Sequence, residues 1–125
     1  MDIDGVSGQV VDSAMRVHTR LGPGLLEGAY EACLAYELKK RGLMVQTQAE
    51  LPVVYDEIKI DLGYRIDLLV ENAVVVELKA VTKLLPIHSA QLLSYLKLSG
   101  HRVGLLLNFH VPHLKDGIKR MVNSR

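Results

Sequence analysis

Residues 64–80 decide the fold, and they read YRIDLLVENAVVVELKA. The segments Tyr64–Val70 and Val74–Ala80 are rich in β-branched or aromatic residues, a composition that predicts two strands. Ionisable residues interrupt both segments, and the acids among them are Asp67 and Glu77. Charges within well-covered strands are rare unless they are paired or bind an ion. The stretch therefore predicts two neighbouring strands and a functional site on them.

The register between the two strands determines whether the acids meet. Asp67 lies directly opposite Glu77 when residues 71–73 form a three-residue loop. A two-residue loop would place the acids on opposite faces, because a slip of one residue inverts every side chain of a strand. Asn72-Ala73 is not the Asn-Gly pair that is typical of a two-residue turn. We therefore predict the three-residue loop or an equivalent bulge.

Two adjacent carboxylates in this position need compensation. At an effective dielectric constant of about 20 they repel each other by several kcal/mol, and a raised pKa, a cationic neighbour or a bound metal relieves the repulsion. Lys79 and Arg65 are the cations on the same two segments. The ligands available are oxygen atoms, which suit Mg²⁺ or Mn²⁺, and the sequence has no Cys/His cluster of the kind that binds zinc.

Helices and further strands flank this central pair. Apolar residues recur with helical spacing in Val6–Leu21, where Ser7 is placed to cap the helix, and a second helix is predicted over Leu26–Arg41. The other predicted elements are strand segments Leu43–Gln48 and Leu51–Tyr55 (or one bent strand), helix His88–Ser99, strand Val103–Asn108 and a last helix Leu114–Val122. This order predicts one α/β domain over residues 1–125, with a mixed sheet flanked by helices.

Length and composition exclude several classes of protein. A chain of 125 residues that is 49% hydrophobic and 23% charged is typical of one globular domain rather than of a disordered or coiled-coil protein. The single cysteine, Cys33, cannot form an intrachain disulfide. The sequence lacks an apolar run of membrane-spanning length, and its start lacks the features of a signal peptide. We therefore expect a soluble cytoplasmic protein that does not bind membranes.

The charge balance limits how the chain can contact nucleic acid. Fifteen Lys and Arg against fourteen Asp and Glu give a net charge of +1, whereas strong sequence-independent DNA binding usually accompanies a clear basic excess. Any such contact is expected to be local. Lys115–Arg125 form one basic cluster, which the solvated face of a final helix explains equally well.

The central acids also fit a known pattern. Asp67, nine intervening residues and then Glu77-Leu78-Lys79 resemble the D-x(n)-E-x-K core of the PD-(D/E)XK nuclease superfamily. The proline of that motif is replaced by Ile66, a departure that the superfamily tolerates.

Two further segments strengthen the resemblance. Residues 24–30, GLLEGAY, are similar to the G-x-x-E-x-x-Y signature of a small prokaryotic family placed in this superfamily. Residues 91–95, QLLSY, resemble the Q-x-x-x-Y motif of its recombination-type exonucleases. The order of predicted elements agrees with the αβββαβ, restriction-endonuclease-like core of the superfamily. The chain is therefore identified as a member of the GxxExxY family within it.

The resemblance implies metal-dependent hydrolysis of phosphodiester bonds in nucleic acid, with DNA as the expected substrate. It implies that Asp67, Glu77 and the Leu78 carbonyl bind Mg²⁺ or Mn²⁺, and that Glu27 adds a ligand directly or through water. It also implies that Lys79 orients or helps to deprotonate the attacking water and stabilises charge on the phosphate.

Four more residues are candidates for substrate contact or for support of the site. Gln91 and Tyr95 lie one helical turn apart, and His88 precedes them on the same stripe. Tyr30 is expected in the core with its hydroxyl directed at the site.

Simpler structural roles remain open for several of these residues. Glu27 fits an ordinary acid in a first helical turn, and the stripe of Gln91 and Tyr95 fits a solvent-facing surface. Glu77 and Lys79 fit a surface ion pair. The alternative function is a non-catalytic module of nuclease fold that binds nucleic acid or a protein, which the short chain and near-neutral charge favour. A homodimer is a further alternative, since small nucleases often need a second subunit to enclose a duplex.

Overall fold

Two helices come first, followed by five strands, a helix and two more strands, in the computed structural model, which describes residues 1–124. The helices are α1 (Ile3–Leu21), α2 (Glu27–Lys40) and α3 (Pro86–Ser99). The strands are β1 (Val45–Glu50), β2 (Val53–Tyr55), β3 (Ile58–Ile60), β4 (Arg65–Val70), β5 (Val74–Lys79), β6 (Val103–Asn108) and β7 (Ile118–Val122). A 3₁₀ turn, Leu114–Gly117, precedes β7.

Five of the strands form one mixed sheet in the order β1-β4-β5-β6-β7. β5 and β6 are parallel, and α3 lies in the crossover that a parallel pair requires. The other neighbouring pairs in this sheet are antiparallel. In the β4–β5 hairpin Val70 lies opposite Val74 and Leu68 opposite Val76. This register confirms the predicted three-residue loop between the two strands.

Helices cover both faces of the sheet. α1 and α2 pack on one face, where Val76 belongs to the same buried cluster as their apolar side chains. α3 packs on the other face, where Leu92 clusters with Val75. Gly104 of β6 lets α3 approach closely, because a Cβ at this position would lie 2.9 Å from Cδ1 of Leu92. The layers confirm the predicted α/β architecture and are consistent with the restriction-endonuclease-like fold.

The first helix begins earlier than the sequence pattern predicts. Its N-cap is Asp2, whose side chain accepts a hydrogen bond of 2.8 Å from the Gly5 N–H. Ser7 is buried within the helix, and its hydroxyl donates to the carbonyl of Asp4. The prediction that Ser7 caps the helix is therefore wrong, because the helix already begins at Ile3 and Asp2 accepts from a main-chain N–H of its first turn.

None of the helices within residues 1–124 is long and apolar enough to span a membrane.

The predicted last helix is also wrong. Leu114–Gly117 form a single 3₁₀ turn, and the residues after it form β7, which pairs antiparallel with β6. A fully buried β6 would otherwise present an unpaired edge, and β7 satisfies its hydrogen bonds. Lys119 and Arg120 of the basic cluster thus lie on an edge strand, where Arg120 forms a 2.9 Å ion pair with Asp4. Arg125, at the end of the cluster, lies outside the described residues.

The second predicted strand segment ends in a hairpin that the pattern did not reveal. β2 pairs with β3 through a turn in which Asp56 and Glu57 both have positive φ, 49° and 72°. Leu51, which was assigned to the strand, precedes it and is buried, and its N–H donates to the Tyr64 carbonyl. All three residues of β3 are exposed, so the strand lacks the alternation of buried and exposed positions that is typical of a half-buried strand.

Candidate active site

Asp67 and Glu77 lie together where the β4–β5 ladder ends. The ladder pairs Leu68 with Val76 and stops there. Beyond it, Oε2 of Glu77 accepts a hydrogen bond of 2.8 Å from the Asp67 N–H. Oδ2 of Asp67 in turn accepts one of 2.9 Å from the Leu78 N–H. Each carboxylate is therefore oriented by the main chain of the opposite strand.

The environment of Glu77 disfavours its charged form. The residue is 5% exposed, and its burial is the largest cause that raises its pKa, to about 8. The negative charge of Asp67 raises the pKa further, and that of Glu31 adds to it. The hydrogen bond from the Asp67 N–H and the ammonium group of Lys79 act in the opposite direction. A bound cation would therefore stabilise the ionised form of this carboxylate pair.

Lys79 occupies the last position of β5, half-buried beside the acids. Its carbonyl accepts a 2.9 Å hydrogen bond from the Phe109 N–H, which joins the end of β5 to the residue that follows β6. Asn108, buried opposite Lys79 in the parallel ladder, binds both the N–H and the carbonyl of Val81. Sequence reasoning missed Asn108, although an amide at the end of an apolar strand is a signal for such a clamp.

The helix α2 contributes a carboxylate that the sequence analysis missed. Glu27 is exposed at the first position of the helix, and Glu31 lies half-buried one turn later. The charge of Glu31 raises the pKa of Glu77, whereas the charge of Glu27 raises the pKa of Glu31. Glu31 is thus the helix acid that faces the pair. Its spacing of four residues from Glu27, which puts both on one helical face, was the signal available.

Gln48 of β1 joins this helix acid to the strand acid. Its side-chain Nε2 donates a 2.8 Å hydrogen bond to Oε1 of Glu31 and a longer one, 3.3 Å, to Oδ1 of Asp67. Burial raises the pKa of Glu31, and the bond from Gln48 lowers it. A neutral amide donor therefore separates two like charges.

The helix α3 brings Gln91 and Tyr95 to the acids. Nε2 of Gln91 donates a 3.2 Å hydrogen bond to the Tyr95 hydroxyl. Burial raises the pKa of Tyr95, and the charge of Glu77 is the second cause of this shift, which places the phenol near the acid pair. The ring centroids of Tyr95 and Tyr64 are 6.1 Å apart. The roles of Gln91 and Tyr95 in substrate contact stay predictions.

His88 and Tyr30 have local structural partners. Nδ1 of His88 accepts a 2.9 Å hydrogen bond from Leu85 and so caps the start of α3. The Tyr30 hydroxyl donates to the Gly22 carbonyl at 2.6 Å and accepts from the Leu25 N–H at 3.0 Å. Contrary to expectation, this hydroxyl faces the loop before α2 instead of the acids. It holds the segment from which Glu27 extends.

The donor atoms of the acid pair fit a hard divalent cation. Asp67, Glu77 and the Leu78 carbonyl offer oxygen ligands, and Mg²⁺ commonly binds one or two carboxylates while it keeps several waters. Within residues 1–124, no group of three or more His, Cys, Asp or Glu side chains is arranged to hold a metal. A cation at the acid pair would therefore depend on main-chain oxygen and water for its other ligands, and the roles of Leu78 and Glu27 stay predictions.

Comparison with known proteins adds an independent finding. The family model for the PD-(D/E)XK nuclease superfamily matches residues 4–121, nearly the whole chain. Searches of curated proteins and of solved structures found no significant match. The matched range contains the acid pair, Lys79 and the helices on both sides of the sheet. The chain belongs to the PD-(D/E)XK nuclease superfamily.

Proposed function

We propose that this protein is a nuclease that hydrolyses phosphodiester bonds in DNA with Mg²⁺ or Mn²⁺. The observation that carries the proposal is the reciprocal hydrogen bonding of Asp67 and Glu77, with Lys79 two residues beyond Glu77. Burial and mutual repulsion disfavour the form of this pair in which both acids are ionised, and a bound cation relieves this cost. Membership of the superfamily supports a nuclease over other metal-dependent enzymes.

The chain's own residues divide the chemistry between them. Asp67, Glu77 and the Leu78 carbonyl would hold the cation, which when bound polarises a phosphoryl oxygen and lowers the pKa of water. Lys79 orients the attacking water or accepts its proton, and its ammonium form stabilises charge that develops on the phosphate. Glu27 contributes through a water molecule, because it is exposed and its charge acts on Glu31. Gln91 and Tyr95 orient the substrate from the α3 side.

We further assign the chain to the prokaryotic GxxExxY family on the basis of residues 24–30. The bonds of Tyr30 to Gly22 and Leu25 support this assignment, because they give the tyrosine of the signature a reason to follow its glutamate. The tyrosine keeps the loop in shape, and the loop carries Glu27 into the first turn of α2.

A nuclease assay with matched variants tests the proposal. Single-stranded DNA, duplex DNA and RNA are incubated with wild type, Asp67→Ala and Lys79→Ala in Mg²⁺, Mn²⁺ or EDTA. We expect wild type to cleave DNA only with metal and both variants to be roughly 10²–10³-fold slower. Lys97→Ala, which removes an exposed lysine of α3, serves as the control and should match wild type. Equal rates in all four proteins would indicate contamination, and cleavage of RNA alone would contradict a DNA substrate.

We also propose that the active form is a homodimer. Small nucleases often need a second subunit to enclose a duplex, which favours this assembly. Light scattering of the protein with and without a short duplex measures the mass directly. A monomer that cleaves duplex DNA at full rate would contradict this assembly.

A non-catalytic module that binds nucleic acid or a protein is the second candidate. It is favoured by the finding that, in the part of the chain described, no group of three or more acidic, histidine or cysteine side chains is arranged to hold a metal ion. Thermal melts separate the two candidates. A rise in Tm with millimolar Mn²⁺ that Asp67→Ala abolishes supports the enzyme. A Tm that is unchanged by Mg²⁺ and Mn²⁺ supports the non-catalytic module.

A further inference from the structure

Gln48 has a backbone conformation that is unusual for its residue type. Its φ is 52°, in the left-handed region that side chains other than glycine, asparagine and aspartate rarely adopt. The ladder between β1 and β4 pairs Thr47 with Leu68 and Ala49 with Ile66, so no residue is inserted on either side. The unusual conformation therefore falls directly opposite Asp67. Strained positions that persist in this way cluster at functional sites.

The two strands exchange faces at this level. On β1, Val45 packs with the α1 and α2 layer, whereas Ala49, an even number of residues later, packs with the α3 layer. On β4, Leu68 and Ile66 divide between the same two layers. Strict alternation would keep each of these pairs on one face. The left-handed conformation of Gln48 accounts for the exchange, and its side chain reaches Glu31 and Asp67.

The side chain of Gln48 completes the support of Asp67. Oδ2 of Asp67 is held by the Leu78 N–H, and Oδ1 is held by Nε2 of Gln48. The amide is itself anchored by its shorter bond to Glu31. Both oxygens of one carboxylate thus have fixed donors, one from the main chain of β5 and one from a side chain of β1.

We propose that Gln48 is a positioning residue that orients the Asp67 carboxylate for the divalent cation, an inference that rests on the proposed nuclease function. Residues that hydrogen-bond a metal ligand fix its orientation, and their loss typically weakens metal affinity by about 10–100-fold. Glu31 acts with it by fixing the amide. The left-handed backbone is retained because it delivers the amide to this position.

The substitution Gln48→Gly tests the role without imposing strain. Glycine adopts the left-handed conformation freely, so the variant should fold, and it lacks the amide. Gln48→Asn is the second variant, since asparagine tolerates this conformation but is one methylene too short to span Glu31 and Asp67. The control is Gln46→Gly, the same change at an exposed position of the same strand. We measure Mn²⁺ affinity by calorimetry and solve metal-free crystal structures of all four proteins.

The expected result is a loss of roughly tenfold or more in Mn²⁺ affinity for both Gln48 variants, with the Asp67 carboxylate rotated from its wild-type position in the metal-free crystals. Gln46→Gly should lower Tm and leave both readouts unchanged. Wild-type affinity in Gln48→Gly, or an unmoved Asp67, would overturn the role. If wild type takes up no Mn²⁺, the proposed function fails instead, and the position of Asp67 in the metal-free crystals alone then decides whether Gln48 orients it.

Discussion

Glu77 accepts a hydrogen bond from the main-chain N–H of Asp67, and the carboxylate of Asp67 accepts one from the residue after Glu77. The two side chains replace the rungs that the β4–β5 ladder would otherwise form beyond Leu68. The orientation of each acid therefore depends on the register of the hairpin. A one-residue slip would separate them, which is why the length of the 71–73 loop matters for function.

The raised pKa of Glu77 predicts a stability that falls with pH in the metal-free protein. Its pKa is about 8 when folded, against an ordinary value of 4.5. Between these values the unfolded chain has lost a proton that the folded chain retains, so the free energy of unfolding decreases as pH rises from about 4.5 to about 8. Glu77→Gln resembles the protonated form and should flatten this slope. The measurement is Tm against pH in EDTA, and parallel curves for wild type and variant would contradict it.

A matched control separates this effect from general charge effects. Glu57→Gln removes one negative charge from the exposed turn between β2 and β3, and Glu57 is not among the groups whose charges shift the pKa of Glu77. Its curve of Tm against pH should keep the wild-type slope. Saturating Mn²⁺ should reverse the slope for wild type and for Glu57→Gln but not for Glu77→Gln, because the cation favours the ionised pair.

Removal of the Lys79 charge should separate catalysis from metal binding. Lys79→Met keeps the length and most of the volume of the side chain but loses the ammonium group that lowers the pKa of Glu77. We expect cleavage to be roughly 10²–10³-fold slower, with Mn²⁺ affinity within a few-fold of wild type. Single-turnover kinetics and calorimetry measure the two quantities. An unchanged rate would exclude the proposed role of Lys79, for which Lys97→Met is the control.

Loss of the Tyr30 hydroxyl should loosen the loop before α2. The hydroxyl satisfies both the Gly22 carbonyl and the Leu25 N–H, while the ring stacks on Phe109 at 4.5 Å between centroids. Tyr30→Phe keeps the stacking and leaves both main-chain groups without this partner, so the free energy of unfolding should fall by about 1–2 kcal/mol. Urea titration measures the change. Tyr36→Phe, at a position 65% exposed, should have no effect beyond about 0.5 kcal/mol.

Gly117 should not tolerate a side chain. A Cβ there would overlap the carbonyl oxygen of Asn108, a backbone atom next to the amide that clamps Val81. We expect Gly117→Ala to destabilise the fold by about 2 kcal/mol or more, because the 3₁₀ turn or the end of β6 must move. Gly8→Ala, in an exposed part of α1 with open space around it, should instead stabilise by about 0.5–1 kcal/mol. Denaturant melts of both variants check the contrast.

Local sequence patterns predicted much of the fold. The apolar run Val103–Asn108 predicted a doubly covered strand with the bounds that β6 has. The loop chemistry of residues 71–73 predicted the register that brings Asp67 and Glu77 together. The segment of β7 was predicted as helix, because the edge of β6 that recruits it is a tertiary feature.

The candidate site divides in the same way. Asp67, Glu77 and Lys79 were recognisable because ionisable residues in apolar strands conflict with the local pattern. Gln48 belongs to a surface-like segment, and nothing in its own neighbourhood distinguishes it from a solvent-facing polar residue. For Glu31 the local signal is its spacing of four residues from Glu27.

Alternation and turn chemistry act over a few residues, so the amino-acid sequence was enough to predict the strand pair, its register and the residue types at its centre. Contacts between distant elements make β7 a strand, bind the Tyr30 hydroxyl to the loop of Gly22 and join Glu31 to Asp67 through Gln48. Those relationships join groups on separate elements of the fold. Their energies depend on where the backbone brings the groups together, which no local pattern encodes.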